Sequence, residues 1–284
     1  MPARPLILIT NDDGIKSPGL RAAAEVCEAL GEILIVAPAH QQSGAGRSMP
    51  ATSEGRIYAE EVPIKGQKVI GYGVEGTPAQ VVQHALFEIA QRPVNLVVSG
   101  INYGENIGEG ITVSGTVGAA LEAASFGVPA LAASRQTAQE HYLSHSAEID
   151  FSAAAHFLQK VTAAVLQRGL PAGVDLLKIE VPQHATTNTP TRWTRLSRQR
   201  YFYPIVPHRR RPSDPGPLGY ETRVELDTLE LDSDVRAVIV DKVVSITPVS
   251  VDLTARVDFG QMQAWLDQRG DLPHDWRGSP DRAA

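Results

Sequence analysis

The run Leu6-Ile7-Leu8-Ile9, which leads into Thr10-Asn11-Asp12-Asp13-Gly14, constrains this chain more than any other feature. Four consecutive aliphatic residues leave no polar face, so the segment reads as a strand buried on both sides, as in a parallel sheet covered by helices. Strands and helices then alternate over two thirds of the chain. The spacing predicts a helix over Gly19 to Leu30, with Leu20, Ala23, Cys27 and Leu30 on one face and Gly31 as its stop. Ile33 to Ala37 reads as a strand, Pro78 to Ala90 as an amphipathic helix opened by Thr77-Pro78, and Val94 to Ser99 as the next strand. Ser114 to Phe126 reads as a helix rich in Ala and Gly, followed by strands at Val128 to Ala133 and Leu176 to Val181. Between those strands, Asp150 is expected to cap a helix that runs to Arg168 and stops at Gly169. This order implies βαβ crossovers and a Rossmann-like α/β three-layer sandwich with a mainly parallel sheet.

After Pro182 the texture changes. Residues 182–219 are rich in Thr, Arg and Pro, and Arg209-Arg210-Arg211 among prolines reads as a solvated excursion. Tyr220 to Leu231 and Val235 to Val249 alternate in period two, which predicts a long hairpin arm in need of a partner. Asp258 to Arg269 reads as a last short helix, and 270–284 as a disordered tail. The expected organisation is one domain over 1–269, with a core of about 5–182 and an arm and C-terminal extension over 183–269.

Composition excludes several classes. A net charge of −6 offers no general attraction to nucleic acid polymers or anionic membranes. The single cysteine, Cys27, cannot form an intramolecular disulfide and suits a cytoplasmic location. No run is long enough to span a bilayer, and the opening residues lack a separate apolar segment of the signal-peptide kind.

The chemistry collects in the loops that follow the strands. Asp12 and Asp13 are adjacent carboxylates at a strand's carboxyl end, where like charges repel; a solvated turn or a bound divalent cation would relieve them. The next loop, Pro38 to Ser48, offers Ser43 as an oxygen donor, Gly44 for close backbone approach and Arg47 as a charge. The loop Gly100 to Gly110 sets Asn102 and Asn106 among glycines. Ser114-Gly115-Thr116 opens a helix, where free N–H groups and the helix dipole favour a phosphate. Asn11, Asn106 and the Gly115 and Thr116 N–H groups are candidate phosphate donors, with Gly44 and Ser114 in the same set.

The strings ILITNDDG, VAPAHQQSGAGRS, GTPAQVVQHAL, VSGINYGENIGEG, SGTVGAALEA and VSITPVSVDLT, in this order, closely resemble the survival protein E family of metal-dependent nucleotidases. Ala39 and Gln80 stand where that family often has acidic residues, and Tyr201-Phe202-Tyr203 departs from its usual aromatic pairing. The resemblance implies one divalent ion per subunit, Mg²⁺ or Mn²⁺, held by Asp12, Asp13, Ser43 and Asn102. It implies a 5′-nucleotidase, a phosphoric monoester hydrolase acting on nucleoside 5′- and 3′-monophosphates and sometimes on short polyphosphate. It also implies a C-terminal segment swapped between protomers of a homodimer or homotetramer. Hard oxygen donors suit such an ion, and Asp12 is the candidate catalytic carboxylate beside an activated water. Two other chemistries share an acidic first strand: a haloacid-dehalogenase-like phosphatase forming an aspartyl-phosphate, and a non-catalytic Mg²⁺-binding phospho-acceptor module.

Overall fold

The computed structural model describes residues 3–142, 146 and 148–267. The expected tail at 270–284 lies outside them. The chain divides into a unit that runs to Val251 and a second unit that begins at Asp252.

The first unit is built on a nine-stranded sheet. Its strands are β1 (Leu6–Thr10), β2 (Glu32–Pro38), β3 (Ile57–Ile64), β4 (Gln67–Val74), β5 (Leu96–Tyr103), β6 (Ala130–Arg135), β7 (Leu176–Val181), β8 (Thr191–Trp193) and β11 (Val244–Val249). The spatial order is β3-β4-β2-β1-β5-β6-β7-β11-β8. β4, β2, β1, β5, β6 and β7 run parallel, while β3 and β11 each pair antiparallel with their inner neighbour. Two further strands, β9 (Phe202–Ile205) and β10 (Gly219–Thr222), form a separate antiparallel pair.

Two apolar layers cover the sheet, giving the expected three-layer α/β sandwich. On one face, α1 (Pro18–Cys27) and α4 (Ser152–Arg168) bury Leu20, Cys27, Phe157 and Leu158 against Ile7, Ile9, Val98 and Ile179. On the other, α2 (Pro78–His84) and α3 (Gly115–Ser125) bury Val81, Val82, Val117 and Ala120 against Leu8, Val36 and Val97. β1 is buried along its whole length, as its apolar run requires.

Helix starts follow local chemistry. Thr77 and Gln80 form a reciprocal capping box at α2, so Gln80 has a structural task at that position. Asp150 is not the cap of α4: the helix starts at Ser152, and Asp150 Oδ1 accepts from the Ser152 N–H at 2.8 Å from one residue further out. α1 ends at Cys27, where the Leu30 and Gly31 N–H groups both turn back to the Cys27 carbonyl.

The hairpin predicted from period two is corrected. Of Tyr220 to Leu231 only the first residues are strand, in β10, and their partner is β9 rather than Val235 to Val249. Arg236–Val240 is a wide helical turn, and β11 is an inner strand between β7 and β8. The alternation in β11 is real, yet both of its faces are buried, because Ser245 and Thr247 meet the hydroxyl of Thr194 at 2.7 and 2.8 Å. The edge hairpin β3–β4 has no counterpart in the sequence expectations.

In the second unit, α5 (Phe259–Asp267) matches the expected last helix as far as the described residues extend, and none of its residues is buried.

Candidate active site

The parallel register of β1 with β5, Thr10 opposite Ser99, sets the acidic turn beside the glycine-rich loop. Asn11 shapes that turn: Nδ2 donates to the Gly14 carbonyl at 3.2 Å, and Oδ1 accepts from the Gly14 N–H at 3.1 Å. Gly14 has φ of +98°, a backbone setting that suits glycine. With both amide atoms engaged, Asn11 orients the carboxylates that follow, whereas its sequence context pointed to phosphate.

Asp12 and Asp13 are 5% and 1% exposed, so the turn is not a solvated one. Thr116 Oγ1 donates to Asp12 Oδ1 at 2.5 Å. The Gly115 and Thr116 N–H groups also hydrogen-bond this carboxylate, so the start of α3 faces Asp12 itself. A Cβ on residue 115 would lie 2.6 Å from Asp12 Cβ and 2.8 Å from Oδ2, a separation that only glycine permits. Ser114 Oγ accepts from the Val117 N–H at 3.2 Å, which caps the helix.

Asp13 binds the other two loops. Its Oδ2 accepts from the Tyr103 N–H at 3.3 Å, next to Asn102, and its Oδ1 from Gln41 Nε2 at 3.0 Å. Gln41 Nε2 also lies 3.0 Å from Ser43 Oγ and 2.7 Å from the Tyr142 carbonyl, sharing two hydrogens among three acceptors. Asn102 Nδ2 donates to the Tyr103 and Gly104 carbonyls at 3.2 and 2.8 Å, so Oδ1 is the amide atom that a cation would meet. Ser43 and Gly44 are exposed at the rim. Asn106 lies further along the loop, with Nδ2 3.0 Å from Ser134 Oγ. Arg47 pairs at 2.6 Å with Glu122, a buried carboxylate of α3, which ties the Ser43 loop to that helix.

Burial pushes the Asp12 carboxyl up to about 6, against the Thr116 and backbone donors that pull it down. Burial raises Asp13 as well, and the neighbouring Asp12 charge adds to it. Every donor to the pair is neutral, and no Lys or Arg neutralises it among the described residues. These residues also hold no group of three His, Cys, Asp or Glu side chains of metal-binding kind, so a cation here would need neutral oxygens as well. An all-oxygen donor set built on two buried carboxylates lacking a counter-charge fits a hard divalent ion.

Sequence reasoning missed Gln41, the Thr116 hydroxyl and the Tyr103 N–H. Each acts through a partner distant in sequence, and no local pattern marks it.

The family model for survival protein SurE matches residues 7–203. The chain belongs to the SurE family. It is 45% identical over 267 residues to the 5′-nucleotidase SurE of Methanothrix thermoacetophila, covering 92% of this chain and 98% of that one. It is 43% identical over 257 residues to the 5′-nucleotidase SurE of Thermococcus gammatolerans, covering 90% and 94%. The crystal structure of the SurE protein from Aquifex aeolicus superposes with a TM-score of 0.71 at 28% identity, covering 93% of this chain and all of that one. That SurE structure carries the same α/β fold.

Proposed function

We propose that this chain is a metal-dependent 5′-nucleotidase, a phosphoric monoester hydrolase that releases phosphate from nucleoside 5′- and 3′-monophosphates and from short polyphosphate. The observation that carries this reading is the buried Asp12–Asp13 pair, which meets only neutral donors beside Ser43 and Asn102. The relatives named above are 5′-nucleotidases.

Asp12, Asp13, Ser43 Oγ and Asn102 Oδ1 would hold one Mg²⁺ or Mn²⁺ per subunit. When bound, such an ion polarises the phosphate and lowers the pKa of a water molecule. Thr116 and the N–H groups of Gly115 and Thr116 orient Asp12, the carboxylate assigned nearest the chemistry. Ser114 and Asn11 support the same geometry, one by starting α3 and the other by fixing the turn. Gly44, exposed at the rim, and Asn106, further along the glycine-rich loop, are assigned to the phosphate. Water forms the new P–O bond, the ester P–O bond breaks, and the nucleoside leaves as its alcohol with the proton that water gives up.

The assembly is proposed as a homodimer or homotetramer. In α5, Phe259, Met262, Trp265 and Leu266 are all exposed, an apolar set that a partner protomer would cover. A cytoplasmic setting is proposed from the single cysteine, Cys27, which suits a reducing compartment.

Phosphate release from AMP and GMP, with Mn²⁺, with Mg²⁺ and after chelation, tests the reaction. Activity that survives chelation, or no release with either ion, would overturn it. Trapping an aspartyl-phosphate would replace activated water with covalent chemistry, and a strictly monomeric mass in solution would remove the assembly.

A further inference from the structure

Beneath the Gly100 to Gly110 loop lies a set of buried charges that the proposed reaction does not use. Lys178 and Glu180 of β7 and Asp234 are each wholly buried. Lys178 Nζ lies 3.0 Å from Asp234 Oδ2 and 3.4 Å from Glu180 Oε1. Burial pulls the Lys178 ammonium down, yet the Glu180 and Asp234 charges outweigh it and hold it above the ordinary lysine value. A buried ion cluster of this kind adds little stability over well-packed apolar residues of the same volume. Its contacts converge instead on one loop. Lys178 Nζ donates to the Asn106 carbonyl at 2.9 Å. Glu180 Oε2 accepts from the Asn106 N–H at 3.0 Å, and Asp234 Oδ2 accepts from the Gly108 N–H at 3.0 Å. Asp234 Oδ1 in turn accepts from the Ser197 and Val235 N–H groups at 3.0 and 2.8 Å, so the cluster also anchors that outer segment.

We infer that Lys178 and Glu180 are positioning residues for phosphate hydrolysis: they clamp the peptide groups on both sides of Asn106 and so fix where its amide meets the substrate. This rests on the assignment of Asn106 to the phosphate. The clamp holds the backbone, and Ser134 holds one end of the side-chain amide. A serine hydroxyl can donate or accept, so the opposite end of that amide can turn either its oxygen or its N–H₂ outward. Lys178 and Glu180 thereby act through Asn106 without touching substrate.

The test compares two paired variants of the full chain, each assayed with Mn²⁺ and AMP. Lys178→Met with Glu180→Met replaces the pair with apolar residues and removes both hydrogen bonds to Asn106. Lys178→Gln with Glu180→Gln removes the charges but keeps a donor for the Asn106 carbonyl and an acceptor for its N–H. The Met pair leaves the buried Asp234 carboxylate without its ammonium, so it is expected to fold with a lower melting temperature than the parent and to lose about tenfold or more in kcat. The Gln pair is expected to recover most of that loss. Combining the Met pair with Asn106→Ala should lower kcat no further than the worse of the two, because both act at one point.

A folded Met pair with parental kcat, an additive combination, or a Met pair that fails to fold would each overturn the inference and leave the cluster a structural one. Hydrogen exchange in the metal-free protein separates this from the assignment beneath it. Faster exchange confined to 103–108 in the Met pair supports the clamp even if Asn106→Ala retains full activity, in which case only the phosphate assignment of Asn106 falls. Unchanged exchange there overturns the clamp itself.

Discussion

The face of the sheet that carries α2 and α3 is made of different material at its two ends. Under the helices, β1 and β5 present Leu8 and Val97, packed with Val117 and Ala120. Further along the same face, β7 and β11 present Lys178, Glu180, Ser245 and Thr247, all buried and covered by Thr194 and Asp234. The opposite face stays apolar at this end, with Leu177, Ile179 and Ile246 against the α1 and α4 layer. Apolar packing is non-directional and is satisfied by many arrangements of similar volume. A buried polar group is stable only with its partner in place, so the polar end fixes positions that the apolar end would leave loose. The apolar end supplies the stability that carries the acidic turn, and the polar end holds the Gly100 to Gly110 loop beside it.

This contrast can be broken at the site first. Asp12→Asn should cut phosphate release at least about 100-fold while leaving the circular dichroism spectrum and cooperative unfolding intact. Retained turnover would remove Asp12 from the chemistry. At the apolar end, Leu8→Ala should cost about 2–5 kcal/mol in urea unfolding, because Leu8 is wholly buried between strand neighbours and helices. At the polar end, Thr247→Val should cost only about 1 kcal/mol, since Thr194 keeps Ser245 as a partner at 2.7 Å. Equal losses at Leu8 and Thr247 would erase the distinction between the two ends.

The smallest effect is on pH dependence. Burial raises Glu180 from 4.5 to about 7 in the folded protein, against the pull of Lys178. The folded state therefore binds this proton more tightly than the unfolded chain, and the stability that it contributes declines as pH rises from about 4.5 through about 7. Melting temperatures of Glu180→Gln should lack that component, so the difference between variant and parent should change across this window and level off above it.

The apolar end was legible in the sequence, because aliphatic runs such as Leu6 to Ile9 and Ile33 to Ala37, alternating with amphipathic helices, read as strands of a covered sheet. The acidic pair, Ser43 and Asn102 were legible as oxygen donors in loops at one edge, and the structure links them through Gln41 and the Tyr103 N–H. The polar end was not legible. Ser245 and Thr247 alternate with apolar residues as a half-solvated strand would, and only Thr194, about fifty positions away, reveals that they are buried. Lys178 reads as an exposed lysine until Asp234 and the Asn106 carbonyl are seen beside it. The start of α3 was recognised as an anion seat, but the anion that it meets is the chain's own Asp12.

The outer strand β3 has a consequence for how this protein behaves at high concentration. A free sheet edge is a template on which another chain's strand can add, and growth of that kind ends in aggregates. β3 presents Glu60, Glu61 and Pro63 along that edge, Pro63 lacks the N–H that a new ladder would need, and Lys68 of β4 pairs with Glu61 at 2.6 Å. The opposite edge, β8, is only three residues long. Both margins are poor templates for strand addition, so the sheet is guarded against open-ended growth from either side.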